Sequence, residues 1–176
     1  VGGLRTGGID RPTLMVSMAR FDEILDIDEE SRLVRVGAGM TGPRLERLLS
    51  PRGLTTGHFP QSWARATFGG YAATRSAGQS STGYGRSDQM IEGVHVVTPR
   101  GEVEAGHFAA TAAGPDLRGV FIGSEGAFGI ITEVVVRVRT APAVRGYTGV
   151  IFPDYAAGLA ALRELAMQTA ADRVDS

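Results

Sequence analysis

Alternating hydrophobic and polar positions predict most of the strands in this chain. The runs 24–28 and 33–36 alternate on either side of residues 29–32, which predicts a β-hairpin. A second hairpin is expected to turn at residues 99–101, because valines precede and follow this Pro-Arg-Gly sequence. Alternation and β-branched residues are most pronounced over 130–138, which is therefore predicted to be a strand. Two further apolar runs are predicted to be strands: 13–18 and 149–152.

Leucines at helical spacing predict the helices. In the segment 41–49, Thr41 stands where an N-cap is expected and Pro43 falls in the first turn. A short helix is predicted over 116–122, and an amphipathic surface helix over 155–169. Strands outnumber helices and are mostly joined by hairpins. The predicted fold class is therefore α+β, a mainly antiparallel sheet flanked by helices.

Composition and charge narrow the classes of function. The chain has 176 residues and 43% hydrophobic content, enough for one substantial core. Its formal net charge of -1 at pH 7 gives no global field that would recruit nucleic acid or anionic lipid. Cysteine is absent and His58, His95 and His107 lack metal-ligand spacing, so no metal site is predicted. No apolar run is long enough for a membrane span, and the composition predicts a bacterial cytoplasmic protein.

One stretch, 59–85, is rich in small residues and hydroxyls and reads FPQSWARATFGGYAATRSAGQSSTGYG. Gly69 and Gly70 lack side chains, so the main chain there can approach a flat or anionic ligand closely. N–H groups near a helix start would point outward as donors. Tight helix packing through small residues is the alternative explanation.

A second glycine-rich segment, GSEGAFGII at 123–131, comes just before the most clearly predicted strand. Its three glycines permit a compact turn with exposed amides. A Rossmann G-x-G-x-x-G motif would require a strand, a loop and a helix in that order. Here the loop leads into a strand, so the Rossmann fold is disfavoured.

Taken together, six segments resemble the FAD-binding domain of the vanillyl-alcohol oxidase flavoproteins, also known as the p-cresol methylhydroxylase (PCMH) type. They are MTGPRLERLL (40–49), GLTTGHFPQS (53–62), TFGGYAATRSAG (67–78), YGRSDQMIEG (84–93), VTPRGEVE (97–104) and GPDLRGVFIGSEGAFGIITE (114–133). The resemblance is greatest to the alkylglycerone-phosphate (alkyl-dihydroxyacetonephosphate) synthase branch and its bacterial FAD-linked oxidase relatives. Arg75 fits that branch, whereas Gln61 replaces the acid of its G-H-x-P-D-S motif.

The resemblance implies FAD as the cofactor, held mostly by hydroxyls and main-chain amides. It places His58 near the active site, where imidazole could orient substrate or move a proton, with a purely structural histidine as the alternative. Arg75 would pair with a phosphate or form a salt bridge with Asp88 or Glu92. The implied flavin-contacting residues are Gln61, Ser62, Trp63, Ala64, Arg65, Ala66, Thr67, Thr74, Arg75, Ser76, Ala77, Glu125, Gly126, Ala127, Phe128, Gly129, Ile130 and Ile131.

The resemblance also implies two domains. Residues 1–145 would form the FAD-binding domain without its N-terminal pyrophosphate loop, and residues 146–176 would begin a truncated substrate-binding cap domain. The start Val1-Gly2-Gly3, which has no initiator Met, is expected of an internal portion of a larger protein. This chain alone is therefore expected to be catalytically inactive.

Three functions stay open at this point. The first is the FAD-binding part of a transferase of ether lipid biosynthesis that resembles alkylglycerone-phosphate synthase and exchanges an acyl chain for a fatty alcohol. The second is an FAD-dependent oxidoreductase that dehydrogenates a 2-hydroxy acid such as D-lactate or glycolate. The third is a non-catalytic binding module. FAD and a small or lipid-like substrate are the expected partners, nucleic acid is not, and the oligomeric state, including a homodimer, is open.

Overall fold

A five-stranded antiparallel sheet organises the first part of the chain. The computed structural model describes residues 14–106, 108, 111–144 and 146–171, with side chains as far as 167. The chain divides into two compact units, Val1–Ala141 and Pro142–Ser176. The predicted α+β class, a mainly antiparallel sheet with helices, is confirmed.

Both predicted hairpins are present in the sheet. The strands are β1 (Ile24–Asp28), β2 (Leu33–Gly37), β3 (Leu54–Thr55), β4 (Ile91–Thr98), β5 (Gly101–Gly106), β6 (Ile130–Arg137) and β7 (Arg139–Thr140). Their order in the large sheet is β1-β2-β6-β4-β5, and β3 pairs with β7 in a separate two-stranded sheet. The hairpins β1–β2 and β4–β5 flank β6, which pairs antiparallel with both β2 and β4.

Valines on the central strands form much of the core. Val134 of β6 lies opposite Val36 of β2 and Val94 of β4, and all three side chains are fully buried. Such cross-strand pairs of β-branched residues stabilise antiparallel sheets, each by about 0.2–1 kcal/mol relative to alanine pairs. The central position of β6 explains why its hydrophobic pattern is the clearest in the sequence.

The predicted helices are present, with small changes at their ends. The helices are α1 (Gly42–Leu49), α2 (Phe68–Thr74), α3 (Ser81–Tyr84), α4 (Ser87–Met90), α5 (Arg118–Phe121) and α6 (Tyr155–Ala171). Helix α1 follows Thr41, as expected, although the Thr41 side chain makes no capping hydrogen bond. Leu45 and Leu49 of this helix are fully buried against the sheet core.

Helix α5 is shorter than predicted, and α6 is longer. The Asp116 carboxylate accepts a hydrogen bond from the Arg118 amide at 3.0 Å, so this aspartate precedes α5 as a polar turn residue. In the second unit, Asp154 Oδ1 accepts from the Ala157 amide at 2.9 Å and caps the start of α6.

Two predicted strands are not formed. Leu14–Met18 has no strand partner, and Leu14 and Met15 are 86% and 85% exposed; Thr13 lies outside the described residues. Residues 149–152 are likewise not a strand, and Ile151 is 98% exposed. A short apolar run favours extended backbone, but in neither place does a sheet edge pair with it.

Candidate functional site

A cleft of about 600 Å³ opens between α2 and the loop that leads into β6. Its lining joins four parts of the chain that are distant in sequence: the extended segment 14–18, Ala38, the helix α2 with its cap, and residues 125–131. Among the predicted flavin-contacting residues, those on its wall are Thr67, Glu125, Gly126, Gly129, Ile130 and Ile131. The two glycine-rich segments singled out in the sequence therefore share one cleft.

Main-chain hydrogen bonds hold the walls of the cleft together. Gly69 N donates to Ala38 O at 2.9 Å, and Ala38 N donates to Thr132 O at 2.8 Å. At the other end of α2, Glu125 N donates to Ala73 O at 2.9 Å. Helix α2 is thus bonded directly to the chain on both sides of the cleft.

The first amides of α2 do not point outward, contrary to the prediction. Phe68 N donates to Met40 O at 2.9 Å, and Gly70 N donates to the Thr67 hydroxyl at 3.3 Å. The isolated bridge between Thr41 and Thr67 brings these groups together. The start of α2 is therefore saturated and offers no amide donor to a ligand.

The loop after α5 does offer amide donors. In the described part of the chain, the amides of Gly126 and Phe128 have no hydrogen-bond acceptor. Gly126 lies on the cleft wall with a φ of +84°, a left-handed conformation that favours glycine. An acceptor oxygen in the cleft would find a main-chain donor at Gly126, whereas Phe128 lines a separate pocket together with Ala127.

The glycines of the site serve two different purposes. A methyl group added to Gly69 would lie 2.7 Å from the Ala38 Cβ, so that glycine allows close packing. A methyl group on Gly70 would meet nothing nearer than the Thr67 hydroxyl at 3.5 Å, and one on Gly126 nothing nearer than 3.9 Å. Gly70 and Gly126 therefore present bare main chain to the cleft, and the packing explanation applies to Gly69 alone of these three.

His58 is buried beside the other face of α2. Its side chain is 2% exposed, its Nε2 lies 3.1 Å from the Ser76 hydroxyl, and its ring meets the Tyr71 ring edge-on at 4.8 Å. Burial lowers the pKa of His58 and raises the pKa of Tyr71 to about 12. His58 Nδ1 and the Tyr71 hydroxyl are both buried without a hydrogen-bond partner. His58 does not line the cleft. It contacts Tyr71 of α2, the helix from which other residues form one wall of the cleft.

Segment 61–66 forms a turn that packs against α1. Trp63 N donates to Pro60 O, and the indole ring of Trp63 packs against Phe59 with ring centroids 5.9 Å apart. A methyl group on Gly42, the first residue of α1, would come within 2.6 Å of Trp63 Nε1. The ring of Trp63 thus covers the start of α1.

Arg75 joins the end of α2 to the loop before the cleft. It adopts a left-handed conformation with a φ of +50°, and its Nε donates to Ile122 O at 3.1 Å. Its guanidinium lies 3.9 Å from Asp88, one of the two carboxylates considered from the sequence. The other, Glu92, pairs instead with Arg118 at 2.8 Å and with Arg137 at 2.9 Å, so the Arg75–Glu92 alternative is wrong.

The remaining predicted flavin-contacting residues do not line this cleft, and their contact with FAD stays a prediction. They are Gln61, Ser62, Trp63, Ala64, Arg65, Ala66, Thr74, Arg75, Ser76, Ala77, Ala127 and Phe128. The sequence prediction also missed wall residues, namely Leu14, Val16, Met18, Ala38 and Ala73. Nothing in the pattern marked these apolar side chains, because a cleft wall and a core strand share the same composition.

Comparison with known proteins identifies the family. The profile of a family described as "FAD binding domain" matches residues 2–106. The chain belongs to this family. This FAD-binding domain is 39% identical over 157 residues to an alkyldihydroxyacetonephosphate synthase of Trypanosoma brucei brucei, which covers 85% of this chain and 25% of that protein. It is 37% identical over 169 residues to the FAD-linked oxidoreductase YgcU of Escherichia coli, covering 95% of this chain and 34% of that protein.

A solved structure supports the fold. A crystal structure of an alkyldihydroxyacetonephosphate synthase superposes with a TM-score of 0.66 at 35% identity, over 72% of this chain and 23% of the synthase chain. The FAD-binding domain also shares 34% identity over 145 residues with the glycolate oxidase subunit GlcD of Escherichia coli. The chain spans about a quarter to a third of the length of these relatives.

The residues of the cleft fit a flavin dinucleotide. The volume is in the range of ligand pockets, which is about 300–1,000 Å³. Gly70 and Gly126 leave space that a Cβ would fill, and the unpaired amide of Gly126 is available to an acceptor oxygen. Among the described residues, no three His, Asp or Glu side chains group as metal ligands do. Within the same residues, no helix has both the length and the apolar character to cross a membrane.

Proposed function

We propose that this chain is the cofactor-binding part of a flavoenzyme and that the cleft beside α2 holds FAD. The observation that supports the proposal most is that two glycine-rich segments form one cleft in which Gly70 and Gly126 expose bare main chain. The amide of Gly126 would donate to an oxygen of the cofactor. Ile130 and the apolar segment 14–18 would cover the flat ring system and exclude water from it.

FAD, when bound, supplies the electron transfer that protein side chains cannot perform. The protein's own contribution would be to bind, orient and shield the cofactor and to hold His58 near the reacting groups. Because burial lowers the pKa of His58, its imidazole is neutral near pH 7. Its Nδ1 is buried without a hydrogen-bond partner, and its donor or acceptor character depends on the tautomer.

For the whole protein, we propose a reaction like that of the alkyldihydroxyacetonephosphate synthases, in which a fatty alcohol replaces an acyl chain. Synthase relatives of this chain reach 39% identity, and Arg75 agrees with that branch of the family. The substrate would be lipid-like and held mainly by parts of the protein beyond this chain. Residues 1–145 would serve the cofactor and residues 146–176 would begin the substrate-binding domain, so that this chain alone would be inactive.

Oxidation of a 2-hydroxy acid is the second candidate. The glycolate oxidase subunit GlcD of Escherichia coli is 34% identical over 81% of this chain, so the same cofactor domain could serve that chemistry. Anaerobic addition of D-lactate or glycolate to the intact flavoprotein separates the two proposals. Rapid bleaching of the flavin would refute the synthase-like proposal, and an unchanged spectrum would support it.

The proposal that the chain binds FAD is tested by the visible absorption spectrum of the purified protein. The chain would be purified after supplementation with FAD and then denatured to release any bound cofactor. We expect the visible absorption of bound flavin and recovery of FAD on denaturation. A colourless protein that takes up no FAD would contradict the proposal and favour a non-catalytic binding module.

A further inference from the structure

Glu46 of α1 is bonded to the segment that leads into His58. Its Oε1 accepts from Thr56 N at 2.9 Å and from the Thr56 hydroxyl at 2.6 Å, and its Oε2 accepts from the Thr55 hydroxyl at 2.8 Å. Both threonines are buried, at 2% and 1% exposure. None of the described ion pairs involves Glu46, so its carboxylate is committed to these three donors.

The same two hydroxyls also accept hydrogen bonds from the turn that follows. Gly57 N donates to the Thr55 hydroxyl at 3.1 Å, and His58 N donates to the Thr56 hydroxyl at 3.3 Å. A hydroxyl has one proton and two lone pairs, so each can donate to Glu46 while it accepts from an amide. A carboxylate only accepts, and it therefore fixes the direction of both hydroxyl bonds.

The turn has little room for another arrangement. Gly57 has a φ of +70°, and a methyl group on it would collide with the ring of Tyr84. Beyond the turn, the His58 ring is held between the Ser76 hydroxyl and the edge of Tyr71. Bonds that begin at Glu46 thus hold the backbone from which the His58 side chain projects.

We propose that Glu46 is the positioning residue of His58, acting through the paired hydroxyls of Thr55 and Thr56 to hold the imidazole in place. The inference rests on the proposed function, in which His58 serves the flavin site. Glutamine at position 46 would bring an N–H₂ group to one threonine hydroxyl and reverse that bond. The turn would then open more often, and the His58 ring would lose its fixed contact with Ser76.

The test compares four variants of the chain without flavin. Glu46→Gln and Thr56→Val disturb the hydrogen bonds between Glu46 and the threonines, and Thr56→Ser preserves the hydroxyl at position 56. Glu29→Gln is the matched control, because Glu29 forms only an exposed ion pair with Arg52 at 2.6 Å. The readout is the rate at which diethylpyrocarbonate modifies each histidine, located by peptide mass spectrometry with His95 as the internal reference.

We expect His58 to react about tenfold faster in Glu46→Gln and Thr56→Val, the factor that corresponds to loss of roughly one hydrogen bond. His95 should be unchanged, and Thr56→Ser and Glu29→Gln should match the unsubstituted chain. NMR titration of the imidazole adds a signature that global destabilisation does not produce. The pKa of His58 should return toward its ordinary value in the two disturbed variants while the protein stays folded.

The inference would be overturned if His58 in Glu46→Gln or in Thr56→Val reacted at the rate of the unsubstituted chain. It would also be overturned if Thr56→Ser or Glu29→Gln accelerated the reaction equally. If Glu46→Gln does not fold, the pair Thr56→Val and Thr56→Ser decides the question. The readout needs no cofactor. Failure of the chain to take up FAD would therefore count against the proposed function without altering this result.

Discussion

The neighbouring glycines of α2 provide a sharp test of the site, because the same substitution has opposite consequences at the two positions. Gly69 and Gly70 are consecutive residues near the start of one short helix, so the change from glycine to alanine alters backbone freedom similarly in both. Their surroundings differ. Both line the cleft, but a side chain at position 69 would collide with Ala38, whereas one at position 70 would have room.

The expected magnitudes follow from the distances. In Gly69→Ala the new methyl would lie 2.7 Å from the Ala38 Cβ and 3.0 Å from the Ala38 carbonyl oxygen, both parts of a rigid, hydrogen-bonded segment. Overpacking of this kind costs about 1–3 kcal/mol. In Gly70→Ala the nearest atom is 3.5 Å away, an ordinary contact. Loss of glycine from the helix should then stabilise the fold by up to about 1 kcal/mol.

Denaturant unfolding followed by circular dichroism measures both changes, and fluorescence titration with FAD measures binding. We expect Gly69→Ala to lower the free energy of unfolding. Gly70→Ala should keep or raise it yet weaken FAD binding, because its methyl enters the cleft. A destabilised Gly70→Ala, or a Gly70→Ala that binds FAD as tightly as the unsubstituted chain, would refute the assignment of this face of α2 to the ligand.

Three other substitutions test separate parts of the account. Burial lowers the pKa of His58 from its ordinary 6.5, so the unfolded chain takes up a proton before the folded chain does as the pH falls. The free energy of unfolding should therefore decline from about pH 6.5 downward, and less steeply in His58→Gln. Unfolding midpoints that depend on pH identically in both proteins would contradict this. Tyr71→Phe removes a buried hydroxyl without a partner and should leave the free energy of unfolding unchanged or raise it by up to about 1 kcal/mol. A large decrease in the free energy of unfolding would instead show that the hydroxyl has a hydrogen-bond partner. Asp154→Ala removes the cap of α6 and should destabilise this helix by about 1 kcal/mol. Circular dichroism should then show lower helicity than in the unsubstituted chain at the same temperature. Equal helicity would argue against the cap.

The sheet could be predicted from the sequence because its signals are local and mutually consistent. Each hairpin has a polar turn between two alternating runs. The strand β6 is rich in valine, and so are β2 and β4, the two strands that pair with it. The segment 14–18 has a similar composition but no pairing edge, so a local pattern alone could not exclude it.

The site was only partly predictable, for a physical reason. Glycine spacing indicates where main chain is exposed, but the pairing of an amide depends on distant residues. The start of α2 is saturated by Met40 and by the Thr67 hydroxyl, whereas the Gly126 amide is left unpaired. The role of Glu46 likewise depends on a contact between α1 and residues 55–56, which no local pattern indicates.

The most direct test of the central claim is amide hydrogen exchange, resolved by residue with NMR, in the presence and absence of FAD. If the cleft beside α2 holds the cofactor, FAD should slow exchange at the unpaired amide of Gly126 and shift the resonances of Gly70 and Ile130. Bound FAD that leaves the Gly126 amide exchanging as before would contradict the claim that this cleft is the flavin site.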